Sequence, residues 1–250
     1  MQAAFRKFLS NTLGLRRYLS LVSKAFIILM LAGFFKKKYP EYHFLKKFVQ
    51  PGWYCIDIGA NLGYFSIVMS KAVGKEGKVL AVEPVKLFNR IFRSNVELFT
   101  NGNVKLMPYA LGAEEKMVTM GTPVKEGVFR HGLTKVVDNE EQNYKHTYWV
   151  EMKVPDKLFG NLKRLDFIKC DVEGYETEIF PYFLKVLEKY QPVLQIEINN
   201  EESREQIFGM IKHIGYKPYG LMNGNLKKLD NPEMKTWDES DLFFQVENQL

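Results

Sequence analysis

The chain has 250 residues, 46% of them hydrophobic and 26% charged, which is enough for one domain with a sizeable core. Two cysteines and four scattered histidines exclude a disulfide scaffold and a zinc module. The formal charge of +6 is a mild basic bias that fits a solvated surface, acidic lipid, an anionic glycan or nucleic acid alike.

The first 39 residues differ in character from the rest. Ala25 to Phe35 is an unbroken apolar run of 11 residues, with Arg16, Arg17 and Lys24 before it and Lys36, Lys37 and Lys38 after it. At 1.5 Å per residue it spans roughly 16 Å, about half of a bilayer core. Extending it back to Tyr18 gives the length but buries Lys24, and positive charge on both flanks gives no orientation signal. Lys36-Lys37-Lys38 stands where a signal peptide would need small residues for cleavage. The segment reads as a helix packed on its own domain or on a second subunit, as a membrane-lying helix over residues 15–38, or as a transmembrane span. The division is therefore an N-terminal helical extension, 1–39, and a main domain, 40–250.

From Pro40 onward apolar strands alternate with helical segments, which predicts a parallel sheet with helices on both faces. The expected order is a strand at Tyr54–Ile58, a helix from about Tyr64 to Val73, a strand at Lys78–Glu83, a helix near Leu87–Leu98 and a strand at Val104–Pro108. Residues 114–155 break the alternation and predict an inserted β-hairpin with a mobile loop, the kind of segment that often carries function. The sheet resumes with Leu165–Cys170, a helix near Glu176–Leu187, Val193–Ile198 and a helix near Ser203–Ile214. Strands near Lys217–Leu221 and Leu242–Val246 close it as an antiparallel hairpin. Cys55 and Cys170 fall inside two of these core strands and are expected as buried free thiols, a usage that fits a reducing cytoplasm.

The first strand ends in Asp57 and turns through Gly59 and Gly63 into an apolar helix. Glycines let a backbone approach a ligand closely, and the helix start offers free N–H groups. The spacing is Asp-x-Gly-x-x-x-Gly, not the Gly-x-Gly-x-x-Gly that cradles a pyrophosphate. An acid before the glycines repels phosphate but suits a ligand with an ammonium group, such as S-adenosylmethionine. The next strand ends in Val82-Glu83-Pro84, and a carboxylate at Glu83 can accept both hydroxyls of a ribose.

These stretches, together with Asp166-Phe167-Ile168-Lys169-Cys170-Asp171-Val172-Glu173-Gly174-Tyr175-Glu176, resemble the FkbM-family methyltransferases, from about Pro40 to the C-terminus. The resemblance implies the class I methyltransferase fold: a Rossmann-like, mostly parallel seven-stranded sheet with helices on both faces. It also implies S-adenosylmethionine as cofactor and methyl transfer to a hydroxyl oxygen. Cofactor contacts are then expected from Asp57, Gly59, Ala60, Asn61, Gly63, Tyr64, Phe65, Glu83, Pro84, Ala110 and Asp171. Removal of the hydroxyl proton needs a base or a metal. The candidates for catalysis are Asp171, Glu173, His131 and Glu197, and a divalent metal is left open. The expected acceptor is a glycan, a lipid-linked saccharide or a small hydroxylated metabolite. The expected setting is the cytoplasm, with peripheral contact at the inner face of the membrane and a homo-oligomer both compatible. An RNA 2′-O-methyltransferase, drawing on Lys169 and Asp171, and a non-catalytic S-adenosylmethionine-binding protein are the alternatives. Nucleic acid is disfavoured because no RNA-binding module accompanies the fold.

Overall fold

Parallel strands need crossovers of a dozen or more residues, and the helical segments between the apolar runs supply them. The computed structural model describes residues 12–125, 127–137, 144 and 146–247. It opens with helices α1 (Leu15–Leu31) and α2 (Pro40–Phe48), then β1 (Tyr54–Ile58), α3 (Tyr64–Val73), β2 (Lys78–Val82), α4 (Lys86–Phe99) and β3 (Val104–Met107). An inserted region carries β4 (Ala110–Leu111), β5 (Lys116–Thr122), β6 (Val124–Lys125) and β7 (Val128–Phe129). It continues through a 3-10 turn at His131–Leu133, β8 (Lys135–Val136) and β9 (His146–Lys153). The chain returns through α5 (Pro155–Phe159), β10 (Phe167–Cys170), α6 (Glu176–Ile179), α7 (Leu184–Tyr190), β11 (Val193–Glu197) and α8 (Glu201–Ile211). It ends with β12 (Tyr216–Met222), β13 (Asn225–Lys228), α9 (Asn231–Lys235) and β14 (Asp241–Val246).

The main sheet has eight strands in the order β13-β12-β14-β11-β10-β1-β2-β3. Strands β3, β2, β1, β10 and β11 run parallel, while β14, β12 and β13 are antiparallel. This is the expected α/β sheet with one strand more than the seven predicted. The closing pair is antiparallel as expected, β12 against β14, but the two are not joined directly. Strand β12 turns through Asn223 and Gly224, both at positive φ, into β13, and β14 inserts between β12 and β11. The sequence of β13, Asn-Leu-Lys-Lys, has a single apolar residue and so no period-2 signal; only the Asn-Gly dipeptide marks it.

Two further expectations change. The inserted region forms a four-stranded sheet, β4-β9-β5-β8, beside a β6/β7 pair, rather than one hairpin. The mobile loop is expected somewhere within 114–155, and residues 126, 138–143 and 145 of that segment lie outside the described residues. The helix predicted from Glu176 to Leu187 breaks at Pro181 into α6, a 3-10 turn at Phe180–Tyr182, and α7, because proline removes a helical N–H donor.

Period-2 alternation sorts the sheet into two faces. Ile56, Ile58, Ile168, Cys170 and Ile196 pack on one side, and Cys55, Val79, Phe167 and Val193 on the other. The two cysteines are buried and free, as expected, and occupy opposite faces. Asp57, Lys169 and Glu197 follow on the Cys55 side, so the alternation gathers charged groups under α2 and α3.

Helix α1 packs through Leu19, Ile27 and Met30, all buried. Phe26 meets Tyr64 edge-on, with ring centroids 5.1 Å apart. The buried Asn95 amide donates to Ser23 Oγ (3.0 Å) and to the Leu62 carbonyl (2.8 Å), tying α1 and α4 to the loop after β1. Among the described residues no helix is long and apolar enough to cross a membrane. Residues 1–11 of the extension lie outside the described residues.

The C-terminal part is held by Arg204, which is 6% exposed. Its guanidinium donates to the carbonyls of Ile198, Met234, Lys235, Trp237 and Glu239 at 2.7–3.3 Å. Arg204→Ala should lower unfolding free energy by about 3 kcal/mol, since five charge-assisted bonds vanish and those to Ile198 and Met234 are buried. Urea denaturation followed by circular dichroism reads this, and a change below the error of that measurement would show that the clamp is redundant.

Candidate active site

In a sheet of this topology the loops after neighbouring strands diverge where strand order reverses, and a crevice opens at their carboxyl ends. Here the reversal lies between β1 and β10. The residues after β1 and those after β10 meet closely. Asp171 N–H donates to the Ile58 carbonyl at 3.0 Å, and the Asp171 carbonyl stands so near Gly59 that a Cβ there would overlap it. Gly59 also has φ +80°, so both space and backbone conformation demand glycine. Gly59 and Ala60 N–H groups donate to the Val82 carbonyl at 3.1 and 3.0 Å, which folds the loop back over β2.

The crevice is lined by Asp57, Gly59, Ala60, Asn61, Tyr64 and Phe65 from the β1–α3 segment, and by Glu83 and Pro84 after β2. Ala110, His131, Asp171 and Glu173 also face it. It therefore gathers twelve of the fourteen sequence-named site residues. Gly63 does not line it. Its φ of +94° starts α3, and a Cβ would stand 3.1 Å from the Phe92 ring, so its role is packing behind the loop. Glu197 does not line it either. It ends β11 behind Asp171, with which it shares a hydrogen bond.

Glu83 is 5% exposed. Its Oε2 accepts from Asn61 N–H at 2.9 Å and its Oε1 from Val85 N–H at 2.8 Å. Burial pushes its carboxyl up to about 8 against those two bonds. The anchored Asn61 adopts φ +49°, uncommon for a residue with a side chain. Asn61 Nδ2 donates to the His131 carbonyl at 3.1 Å, and Asn61 Oδ1 meets His131 Nδ1 at 2.8 Å. A flipped amide would set Oδ1 against that carbonyl, so the network fixes Nδ1 as the protonated ring nitrogen and leaves Nε2 as an acceptor. His131 is thus no free surface histidine. Burial lowers its ring to about 4, so it is neutral at physiological pH.

Asp57 is 1% exposed. Its Oδ2 accepts from Ser66 Oγ at 2.5 Å, while its Oδ1 is buried without a hydrogen-bond partner among the described residues. Burial raises its carboxyl, opposed by Lys169 and the Ser66 bond. Lys169 has a side chain only 3% exposed and pairs with Asp171 at 3.0 Å. Its ammonium also lies 4.3 Å from the centroid of the Phe65 ring. Burial alone would lower that ammonium, but Asp171 and Asp57 beside it hold it above its ordinary range. Glu197 is raised to about 8 by burial and then by Asp171.

The turn after β10 has its own support. Glu176 Oε1 accepts from Val172 N–H at 3.0 Å and Gly174 N–H at 3.3 Å. Glu176 therefore satisfies the turn, and Asp171 and Glu173 are left to face the crevice. Glu173 adopts φ +58°, a strained conformation of the sort that collects at functional sites. Burial, then Asp171 and Glu176, raise its carboxyl to about 7. Among the described residues no group of three or more His, Cys, Asp or Glu side chains is arranged to hold a metal ion.

Tyr109 and Leu111, beside Ala110 in the segment after β3, also line the crevice. Sequence reasoning missed Met120, Gly132, Thr134 and Val136 of the inserted region, because no spacing rule links them to the loop after β1.

Comparison with known proteins adds three findings. The model of the methyltransferase FkbM domain matches residues 57–218. The chain is similar to Methyltransferase 1 of Beauveria bassiana (strain ARSEF 2860), 26% identical over 141 residues, which is 50% of this chain and 56% of that protein. The chain thus spans about half the length of the curated relative it matches. Among solved structures it is similar to a SAM-dependent O-methyltransferase of Thermotoga maritima, with 15% identity and a TM-score of 0.48 over 83% of this chain and 64% of that one. It is similar also to a methyltransferase FkbM of Methylobacillus flagellatus KT, with 13% identity and a TM-score of 0.49 over 77% and 43%.

Gly59→Ala should cost about 2–4 kcal/mol, because overlap with the Asp171 carbonyl adds to the strain of a positive φ. Gly52→Ala, also at positive φ but with open space around its Cβ position, should cost only about 1–2 kcal/mol. Equal losses for the two in thermal unfolding would show that the close approach contributes nothing.

Proposed function

The chain belongs to the FkbM methyltransferase family, and on that premise we propose that it is an S-adenosylmethionine-dependent O-methyltransferase. Its proposed acceptor is a hydroxyl of a glycan, a lipid-linked saccharide or a small metabolite. The observation that carries this reading is the joining of two carboxyl groups by one crevice. One is the buried, unpartnered Asp57 Oδ1, and the other is Glu173, with a carboxyl near neutrality.

A buried polar atom without a partner is costly unless a ligand supplies one. The Asp57 oxygen fits the ammonium of an amino-acid end, and Glu83, reached through the same crevice, has acceptor capacity left for ribose hydroxyls. In this proposal backbone groups of Tyr109, Ala110 and Leu111, which line the crevice, hold the adenine. When bound, S-adenosylmethionine supplies an electrophilic methyl group on a sulfonium centre.

The chain's own residues handle the proton. A general base works best with a pKa near the operating pH. Glu173, at about 7, meets that condition, whereas His131, at about 4, is too weak a base to compete. Glu173 Oε therefore takes the proton of the acceptor hydroxyl in this proposal. Asp171 is fixed beside it by Lys169 and Glu197 and presents charge to the reacting centre. His131 holds the inserted region against Asn61 and thereby restricts water at the site. Lys169, on which the RNA reading draws, is enclosed by Phe65 and Asp171 and does not line the crevice.

Glu83→Ala should weaken S-adenosylmethionine binding by roughly 1–3 kcal/mol. Hydroxyl donors favour the charged carboxylate, so wild-type binding near neutral pH should release protons as Glu83 falls from about 8. Calorimetry in buffers of different ionisation enthalpy reads both effects, and buffer-independent enthalpies would remove Glu83 from the ribose site.

Glu173→Gln should cut turnover about a hundredfold or more while leaving cofactor affinity nearly unchanged. In the wild type kcat should rise as pH passes about 7, the point at which the base becomes free to accept a proton. In Glu173→Gln that limb should flatten. A wild-type limb retained by the variant would transfer the role to Asp171, tested in turn by Asp171→Asn. Cofactor binding with no label transfer to any hydroxylated acceptor would instead favour the non-catalytic binding protein.

A further inference from the structure

Helix α1 has two apolar faces, and the core uses only one. Leu19, Ile27 and Met30 point inward. On the opposite side Leu21 is 59% exposed and Ile28 55%, one heptad apart, with Val22 and Leu29 beside them, and Phe34 and Phe35 extend the patch past the helix end. A run of exposed large apolar side chains on one helix marks an interaction site. Cationic residues bracket it: Arg16 and Arg17 at one end, Lys36, Lys37 and Lys38 at the other, all exposed.

Beside this patch a groove runs between α1 and the inserted region. Tyr18, Val22 and Phe26 form one wall, Phe129 and Arg130 the other. It reaches Tyr64 and His131, which also line the crevice. Among the described residues Arg130 has a buried Nε with no hydrogen-bond partner, and Lys38 and Lys125 line the same groove. An apolar channel with an open guanidinium donor suits an amphiphile with an apolar tail and an anionic linkage such as a phosphate.

We infer that α1 rests with its outer face on an anionic membrane surface and that the groove passes a lipid-linked acceptor with an anionic linkage from that surface toward the crevice. The acceptor half of this inference rests on the O-methyltransferase reading; the membrane half does not. Charge complementarity selects the membrane over a second copy of the chain. Two such helices pairing parallel or antiparallel would both bring cationic ends together, whereas an anionic surface satisfies both ends at once.

The test uses the full chain floated with vesicles of phosphatidylcholine alone or of equal parts phosphatidylcholine and phosphatidylglycerol. The protein should float only with the anionic vesicles and detach at high salt. Each basic residue removed from Lys36, Lys37 and Lys38 should weaken partition about fivefold. Leu21→Glu with Ile28→Glu should abolish flotation, while melting temperature and S-adenosylmethionine affinity stay at wild-type values. No flotation of the wild type, or a dimer in sedimentation that the double variant dissociates, overturns the membrane assignment. Monomeric dodecyl phosphate should bind the wild type and inorganic phosphate should not, and Arg130→Gln should weaken dodecyl phosphate about tenfold or more. Equal binding by wild type and Arg130→Gln overturns the groove assignment. None of these readouts needs turnover, so failure of the methyl-transfer reading shows separately, as absence of label transfer to any acceptor.

Discussion

The site depends on one chain of hydrogen bonds that begins at the Glu83 carboxylate. Glu83 fixes the Asn61 N–H, the Asn61 amide clamps both the ring and the carbonyl of His131, and the Thr134 hydroxyl donates to that same carbonyl. Thr134 in turn meets Thr122 at 2.7 Å, at the end of the long strand β5. Five residues thus connect the edge of the parallel sheet to the inserted sheet. Networks of this kind fix a unique arrangement when every member is satisfied, and here the arrangement is a crevice roofed by the 3-10 turn at His131. The left-handed backbone at Asn61 is the local strain the network sustains.

Burial then sets the chemistry of the crevice. Each of Asp57, Glu83, Glu173 and Glu197 is held above the ordinary carboxylate range, chiefly by loss of water. Lys169 offsets part of this under the sheet, where alternation along β1, β10 and β11 sets the charged groups side by side. Asp57, Glu83 and Glu173 thus line the crevice with carboxyl groups that gain from a cationic ligand. Their differing environments also separate their uses. Glu83 is tied by two backbone donors, Asp57 has one oxygen without a partner among the described residues, and Glu173 sits half-buried where the crevice opens to an acceptor.

Helix α1 belongs to the same mechanical unit. Its Ser23 shares the Asn95 amide with the Leu62 carbonyl, one residue from the anchored Asn61. The helix that presents an apolar face to the exterior is therefore bonded to the loop that shapes the crevice. The proposed route for a lipid-linked acceptor follows that connection: the patch meets the groove at Val22 and Phe35, and the groove and the crevice share Tyr64 and His131.

The sequence by itself determined the alternation of strands and helices, the Asp57-x-Gly59 turn, the acid at Glu83 and the buried free thiols. Each is a local signal, in which period, turn chemistry or an acid closing an apolar strand speaks through a few adjacent residues. Only the tertiary structure decided that Gly63 packs behind the loop, that Glu197 stands behind Asp171, and that His131 is clamped to Asn61 across 70 residues of chain. It also decided that β13 exists and that β14 inserts beside β11, since strand neighbours are chosen by packing and closure rather than by pattern. The carboxyl groups near neutrality fall in the same class: their positions can be read from the chain, but the shift comes from water excluded by residues distant in sequence.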